Sequence, residues 1–132
     1  MIKFVIWDFY GVLYFPEKDE LNVEIFEFIE DHNKKYGFGI VSAINTDLSS
    51  WLQERKVKRY FQFVKTTQEL GLPKTDPGLY EMVLASFELK PDEVLLVDDS
   101  TENLNAAREA GLQTLRYAKT KPFATQIRTI IC

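Results

Sequence analysis

Short apolar runs alternate with amphipathic stretches along this chain. Runs rich in β-branched and aromatic residues predict buried strands at 4–8, 38–42, 61–66, 93–98 and 112–117. Between them, apolar residues recur at helical spacing at 20–36, 48–52, 76–89 and 102–110. Alternation of strands and helices favours a parallel sheet covered on both faces. We therefore predict an α/β, Rossmann-like three-layer sandwich with a parallel five-stranded sheet.

Residues with special backbone preferences support these boundaries. Gly37 follows the first helical stretch, either Thr46 or Asp47 can cap the second, and Pro77 lies in the first turn of the third. The tail at 119–132 predicts a last helix. No linker or repeat divides the chain, so we expect a single domain over 1–132.

Composition narrows the classes of function. The chain has 132 residues, 45% of them hydrophobic, and its 16 basic and 20 acidic residues give a net charge of −4. The chain has no block of basic residues that would indicate a nucleic-acid-binding surface. It also has no apolar run long enough to cross a membrane. The one cysteine, Cys132, excludes a disulfide framework, and the first residues lack the pattern of a signal peptide. We expect a cytoplasmic protein, and the pattern favours no particular oligomeric state.

Two of the predicted strands end on aspartate. Asp8 closes the first apolar run, and Asp98 and Asp99 close the run before the fourth helix. If these strands are neighbours, three carboxylates meet at one edge of the sheet and repel one another unless a cation lies among them. Taken singly, each aspartate can also be a helix cap or a solvated edge residue.

Two more polar residues are predicted at the same edge. Ser42 follows the second strand, and Lys74 precedes the third helix. A carboxylate nucleophile, a hydroxyl, a cation and an acidic metal site together suit phosphoryl transfer. Alone, Ser42 can simply start a turn, and Lys74 beside Pro73 can be a surface lysine.

The order of these residues resembles the haloacid dehalogenase (HAD) superfamily, which consists mostly of magnesium-dependent phosphatases. Asp8–Leu13 resembles its first motif, Ile40–Ser42 its second, Lys74 its third and Leu96–Asn103 its acidic fourth. The resemblance covers nearly the whole chain. It implies the same α/β fold and a Mg²⁺ cofactor.

The resemblance also implies roles for individual residues. Asp8 would be the nucleophile, and Ser42 and Lys74 would bind the phosphate. The implied magnesium ligands are Asp8, Asp99 and the carbonyl oxygen of Tyr10, with Asp98 bound directly or through another ligand. Asp99 is preferred as the direct ligand because Asn103, a supporting residue, follows it by four positions.

The chain departs from the phosphatase pattern in two places. The family's phosphatases carry a second aspartate, the general acid and base, two residues after the nucleophile, where this chain has Tyr10. A phenol is a poor base at neutral pH because it stays protonated. Ser42 follows Leu13 by only 29 positions, which leaves no room for a cap domain. We therefore expect an open site and a phosphorylated substrate large enough to cover it, such as a macromolecule.

Three functions remain open at this point. The preferred one is a weak or specialised phosphohydrolase that acts on good leaving groups, such as acyl or aryl phosphates. The second is a pseudophosphatase, a binding or regulatory module that keeps the fold without the activity. The third is a 2-haloacid dehalogenase, a metal-free class that also carries tyrosine at this position. The missing cap, the acidic fourth motif and the absence of arginine before Arg55 disfavour the third.

Overall fold

The computed structural model describes residues 1–44 and 46–131, whose strands form a five-stranded parallel sheet and a separate hairpin. The sheet has the order β5-β4-β1-β6-β7. Its strands are β1 (Phe4–Trp7), β4 (Gly37–Ser42), β5 (Phe63–Thr66), β6 (Val94–Asp98) and β7 (Gln113–Arg116). The hairpin consists of β2 (Tyr14–Phe15) and β3 (Glu20–Leu21). The predicted parallel sheet is confirmed.

Helices cover both faces of this sheet. They are α1 (Val23–His32), α2 (Leu48–Glu54), α3 (Thr67–Leu70), α4 (Pro77–Ser86), α5 (Thr101–Glu109) and α6 (Phe123–Ile127). Successive side chains of a strand point to opposite faces, so Val5 and Trp7 pack with α1, α2 and α6. Phe4 and Ile6 pack with α4 and α5. Among the described residues, no helix combines the length and apolar character needed to cross a bilayer.

The hairpin replaces the beginning of the first predicted helix. We expected a helix over 20–36, but Glu20–Leu21 pairs with Tyr14–Phe15 as a strand, and α1 runs only over Val23–His32. Asn22 lies between hairpin and helix. Its side-chain amide donates to the carbonyl oxygen of Val12 at 2.8 Å and to the Tyr117 hydroxyl at 2.8 Å. These long-range bonds fix the point where the helix can start.

The other helix boundaries follow their caps. Asp47, one of the two candidates, caps α2 by accepting a hydrogen bond from the Ser50 N–H at 3.1 Å. Asp76 caps α4 in the same way, and Pro77 takes its first position. The tail helix is confirmed only over Phe123–Ile127. Cys132 lies outside the described residues.

The topology places the site at the centre of the sheet. The chain moves outward from β1 through β4 to β5, and then crosses back to β6 on the other side of β1. Ligands of open α/β sheets bind beyond the carboxyl ends of strands at such a reversal. Between Leu13 and Ser42 the chain forms the hairpin, α1 and β4, so these residues build no cap domain.

Candidate active site

A buried lysine joins two of the predicted carboxylates. Lys74 Nζ lies 2.7 Å from Asp8 Oδ1 and 2.8 Å from Asp98 Oδ2. Asp8 directly follows β1 and Asp98 ends β6, so neighbouring strands present both carboxylates to Lys74. The lysine is only 4% exposed, which excludes an ordinary surface lysine. The structure therefore brings together three residues that are far apart in the sequence.

Two more groups besides Lys74 hold Asp98 in place. Its carboxylate accepts hydrogen bonds from the Ser100 N–H at 2.9 Å and from Asn103 Nδ2 at 3.2 Å, besides its contact with Lys74. Ser100, and not an aspartate, caps α5 by accepting from the Asn103 N–H. Asn103 therefore supports Asp98 directly, whereas the sequence spacing had linked it to Asp99.

Asp99 completes a cluster of three carboxylates. Oxygen atoms of Asp8, Asp98 and Asp99 lie within 4.8 Å of one another, and Asp99 is exposed to solvent. The backbone approaches closely at Gly11, where φ is +82° and an added Cβ would lie 2.6 Å from Asp99 Oδ2. Only glycine fits there without displacing the carboxylate. Hard oxygen donors at this spacing fit Mg²⁺, which prefers one or two carboxylates and water.

Burial and charge have opposite effects on Asp8 and Lys74. Burial is the main cause that raises the pKa of Asp8 from 3.8 to about 7; Lys74 opposes the rise and Asp98 adds to it. Burial alone would lower the pKa of Lys74, but Asp8 and Asp98 outweigh it and the pKa is raised. Lys74 therefore stays charged at neutral pH, where Asp8 is near its own titration point.

The two other carboxylates differ from each other. Burial tends to raise the pKa of Asp98, but Lys74 and the hydrogen bonds from Ser100 and Asn103 hold it below its usual value. Burial and the negative charge of Asp98 raise the pKa of Asp99. Asp98 is thus the charged partner of Lys74 at neutral pH, and a further cation would favour the ionised form of Asp99.

The raised pKa of Asp8 predicts a pH-dependent stability. Because folded Asp8 holds its proton more tightly than unfolded Asp8, its contribution to the free energy of unfolding falls as pH rises from about 4 to about 7. In metal-free buffer, Asp8→Asn is expected to flatten the decline in this window. Urea unfolding at a series of pH values measures the effect.

The matched control for this experiment is Asp31→Asn, on the exposed side of α1. It should leave the slope of stability against pH as in the wild type. Parallel curves for the wild type and Asp8→Asn would contradict the assigned environment of Asp8.

Ser42 lies at the same edge but outside the ion-pair cluster. It ends β4, next to β1, and is 2% exposed. Its hydroxyl accepts a hydrogen bond from the Ile44 N–H at 3.2 Å. Within residues 1–44 and 46–131, no hydrogen bond joins Ser42 to the carboxylates.

Tyr10 borders the carboxylates without being buried. Its side chain is 46% exposed, and its ring centroid lies 5.4 Å from that of Phe9 and 6.1 Å from that of Tyr14. Together with Asp99 and Gly11 it lines a groove of about 370 Å³ that continues along the hairpin. The site therefore opens into a wide groove.

Tyr80 is a residue that the sequence analysis did not connect with the site. It lies on α4, is fully buried, and its hydroxyl has no hydrogen-bond partner among the described residues. Burial, followed by the charges of Asp98 and Asp8, raises the pKa of Tyr80. The helical spacing of Tyr80 predicts only a core residue. The fold is needed to see that its hydroxyl is close enough to Asp98 and Asp8 for their charges to affect its pKa.

Several known proteins are similar to this chain in sequence. A family model described as haloacid dehalogenase-like hydrolase matches residues 5–117. Bifunctional epoxide hydrolase 2 of Rattus norvegicus is 33% identical over 60 residues, 46% of this chain and 11% of that protein. Pyrophosphatase PpaX of Anoxybacillus flavithermus is 31% identical over 90 residues, 67% and 42% of the two chains. Phosphoglycolate phosphatase 1 of Pseudomonas aeruginosa is 30% identical over 84 residues, 61% and 31%. The chain thus spans less than half of each of these relatives.

Solved structures share the fold over the whole chain. A HAD-superfamily hydrolase from Ehrlichia chaffeensis superposes with a TM-score of 0.84 at 18% identity, over 100% of this chain and 98% of that one. A HAD family enzyme from Bacteroides thetaiotaomicron, in complex with magnesium and inorganic phosphate, gives 0.80 at 15% identity, over 95% and 98%. At these identities the likeness concerns the fold.

Proposed function

Because the chain belongs to the haloacid dehalogenase-like hydrolase family, we propose that it is a magnesium-dependent phosphohydrolase that forms an aspartyl-phosphate on Asp8. The observation that carries the proposal is the buried contact of Lys74 with Asp8 and Asp98, beside exposed Asp99. Related phosphatases among its relatives support the reaction class.

The residues of the chain divide the work of phosphoryl transfer. An Asp8 oxygen attacks the phosphorus atom, and the bond from phosphorus to the leaving oxygen breaks. Lys74 orients Asp8 and offsets the negative charge of the arriving phosphate. Ser42 binds a phosphate oxygen. Asp98, held by Asn103, keeps Lys74 in place.

A metal ion fits the remaining carboxylates. Asp8, Asp99 and the Tyr10 carbonyl oxygen would hold Mg²⁺, and Asp98 would contact it directly or through another ligand. When bound, the ion neutralises negative charge on the phosphate. Asp99 suits direct contact because it is exposed, whereas the Asp98 carboxylate already has three partners.

This metal assignment predicts that Asp99→Asn weakens magnesium binding by at least about tenfold, since even indirect ligand partners cost 10–100-fold. Isothermal titration calorimetry with MgCl₂ measures the affinity. Glu102→Gln, an exposed acid on the neighbouring helix, is the matched control and should bind as the wild type does. Equal affinities of the wild type and Asp99→Asn would remove Asp99 from the ligand set.

The experiment that tests the proposed function is a search for the covalent intermediate. The protein is incubated with 4-nitrophenyl phosphate and magnesium, quenched in acid and weighed intact. We expect a mass increase of one phosphoryl group in the wild type and none in Asp8→Asn. No adduct and no phosphate release from the wild type would favour the second candidate, a non-catalytic binding module, which Tyr10 at the acid–base position also suits.

The metal-free dehalogenase is the least supported of the three candidates. The cluster of Asp8, Asp98 and Asp99 provides oxygen ligands that such a reaction does not need. The open groove also fails to exclude water around a carbon–halogen bond. A substrate large enough to cover this groove remains our prediction, because a small sugar phosphate would leave most of its surface in water.

A further inference from the structure

Three aromatic side chains, exposed Tyr10 and half-buried Tyr14 and Trp51, form a cluster that begins two residues after Asp8, and we call it the aromatic shelf. The ring centroids of Tyr10 and Tyr14 are 6.1 Å apart, and those of Tyr14 and Trp51 are 4.8 Å apart. Phe9, 1% exposed, lies beneath them, 5.4 Å from Tyr14 and 5.2 Å from Trp51. The shelf is therefore supported from below by the core and open above at Tyr10.

The shelf is fixed in place before any ligand arrives. The Tyr14 hydroxyl donates a hydrogen bond to Asp19 in the hairpin turn, which prevents the ring from rotating away. The Arg55 guanidinium lies 3.5 Å from the centroid of the Trp51 ring and donates to the Trp51 carbonyl oxygen at 3.2 Å. A rigid surface loses little conformational entropy when a planar group binds to it.

The position of the shelf relates it to the reaction. Tyr10 follows the proposed nucleophile by two residues, and it lines the same groove as Asp99. In the proposed reaction, a leaving group on a phosphate at Asp8 would extend into this groove, next to Tyr10. It meets an aromatic ring there and no carboxylic acid.

We propose that the substrate is an aryl phosphate whose aromatic leaving group lies against the aromatic shelf while its phosphate faces Asp8. The inference rests on the proposed function and specifies its substrate class. Two independent features favour it: the exposed Tyr10 ring, backed by Tyr14 and Trp51, offers an aromatic contact surface, and position 10 carries no carboxylic acid to protonate a leaving oxygen. An acyl phosphate also has a good leaving group, but an acyl group without an aromatic ring makes no such contact with the shelf.

The step balances without a general acid. Asp8 forms a bond to phosphorus, and the bond between phosphorus and the aryl oxygen breaks, with its electron pair leaving on a phenolate. The phenolate takes a proton from water. A second water then hydrolyses the aspartyl-phosphate, which restores the Asp8 carboxylate and releases inorganic phosphate.

Binding of two non-hydrolysable probes tests the shelf on the wild-type protein. Phenylphosphonate and cyclohexylphosphonate carry the same anionic group, and only the first has a planar aromatic ring. With magnesium present, calorimetry should show phenylphosphonate binding about five- to tenfold more tightly, in the range of one aromatic contact. Equal affinities would overturn the inference. Binding of neither probe would also overturn the inference, whereas the proposed function is tested separately by the phosphoryl adduct on Asp8.

Matched variants locate the effect. Tyr14→Leu should remove the preference for phenylphosphonate, whereas Tyr60→Leu should keep it. Tyr60 is also half-buried, and its hydroxyl donates to Glu30. It precedes the amino end of β5, whereas the site lies at the carboxyl ends of the strands. Trp51→Leu is a second test should Tyr14→Leu fail to fold. Loss of the preference in Tyr60→Leu, or its retention in both shelf variants, would overturn the inference.

Turnover separates stacking from leaving-group chemistry. Phenyl phosphate is compared with a fluorinated alkyl phosphate whose alcohol is as acidic as phenol. If the shelf binds the ring, kcat/KM should be about tenfold higher for phenyl phosphate, since reactivity is matched. Equal values would contradict the inference while leaving the proposed phosphohydrolase intact.

Discussion

Tyr10→Asp is expected to raise kcat/KM for alkyl phosphates by about 10–10³-fold, toward the 10²–10⁴-fold that a positioned general acid typically supplies. An alkoxide leaves poorly without a proton, and an aspartic acid two residues after Asp8 could deliver one. For phenyl phosphate the gain should be smaller, because a phenolate departs unaided and the substitution removes one ring of the aromatic shelf. Steady-state kinetics with both substrates and saturating magnesium measure the effect.

Tyr10→Ala is the control for this prediction. It opens the same space without providing an acid, so it tests whether the tyrosine ring merely blocks the phosphate. Only the aspartate variant should accelerate alkyl phosphate hydrolysis. Equal gains in the two variants would refute the acid–base explanation and assign the low activity to steric exclusion.

Lys74→Met is expected to lower the free energy of unfolding by about 3–5 kcal/mol, the usual cost of removing one member of a buried ion pair. It leaves Asp8 and Asp98 buried without their common cation. The comparison is Lys3→Met, because Lys3 Nζ lies 3.0 Å from Glu93 on the surface with its side chain 68% exposed. That variant should lose less than about 1 kcal/mol.

Urea unfolding in EDTA measures both variants, and magnesium adds a second readout. Since a divalent cation can offset the two carboxylates, magnesium should recover part of the stability of Lys74→Met and little of that of Lys3→Met. Similar losses of unfolding free energy in the two variants would show that the buried ion pairs of Lys74 stabilise the fold no more than a surface ion pair does.

The sheet was predictable from the sequence because its strands are continuous apolar runs. Buried parallel strands contact helices on both faces, so sequences such as Val94–Val97 are apolar throughout. The hairpin was missed because each of its strands has only two residues and its connection is polar. Asn22, whose bonds reach Val12 and Tyr117, sets its end through contacts that no local pattern reveals.

The residues of the candidate site could be predicted from the sequence, but not all of the contacts between them. The positions of Asp8, Lys74 and Asp98 follow from strand ends and from motif order, and the structure brings them within hydrogen-bonding distance. The pairing of Asn103 with Asp98 depends on how α5 leaves β6, which spacing alone does not determine. The buried hydroxyl of Tyr80 was hidden in an apolar helical pattern.

The central position of β1 in the sheet has a consequence for folding during synthesis on the ribosome. Phe4 pairs with Gly37 on one side and with Val94 on the other. The second edge of β1 therefore stays unpaired until β6 has been synthesised. At 5–20 residues per second, that delay is roughly 5–20 s. During this time an apolar strand edge is open to other nascent chains. Asp98 reaches Lys74 only once β6 has been made, so the ion pairs between Lys74 and the two carboxylates are completed when that edge of β1 is covered.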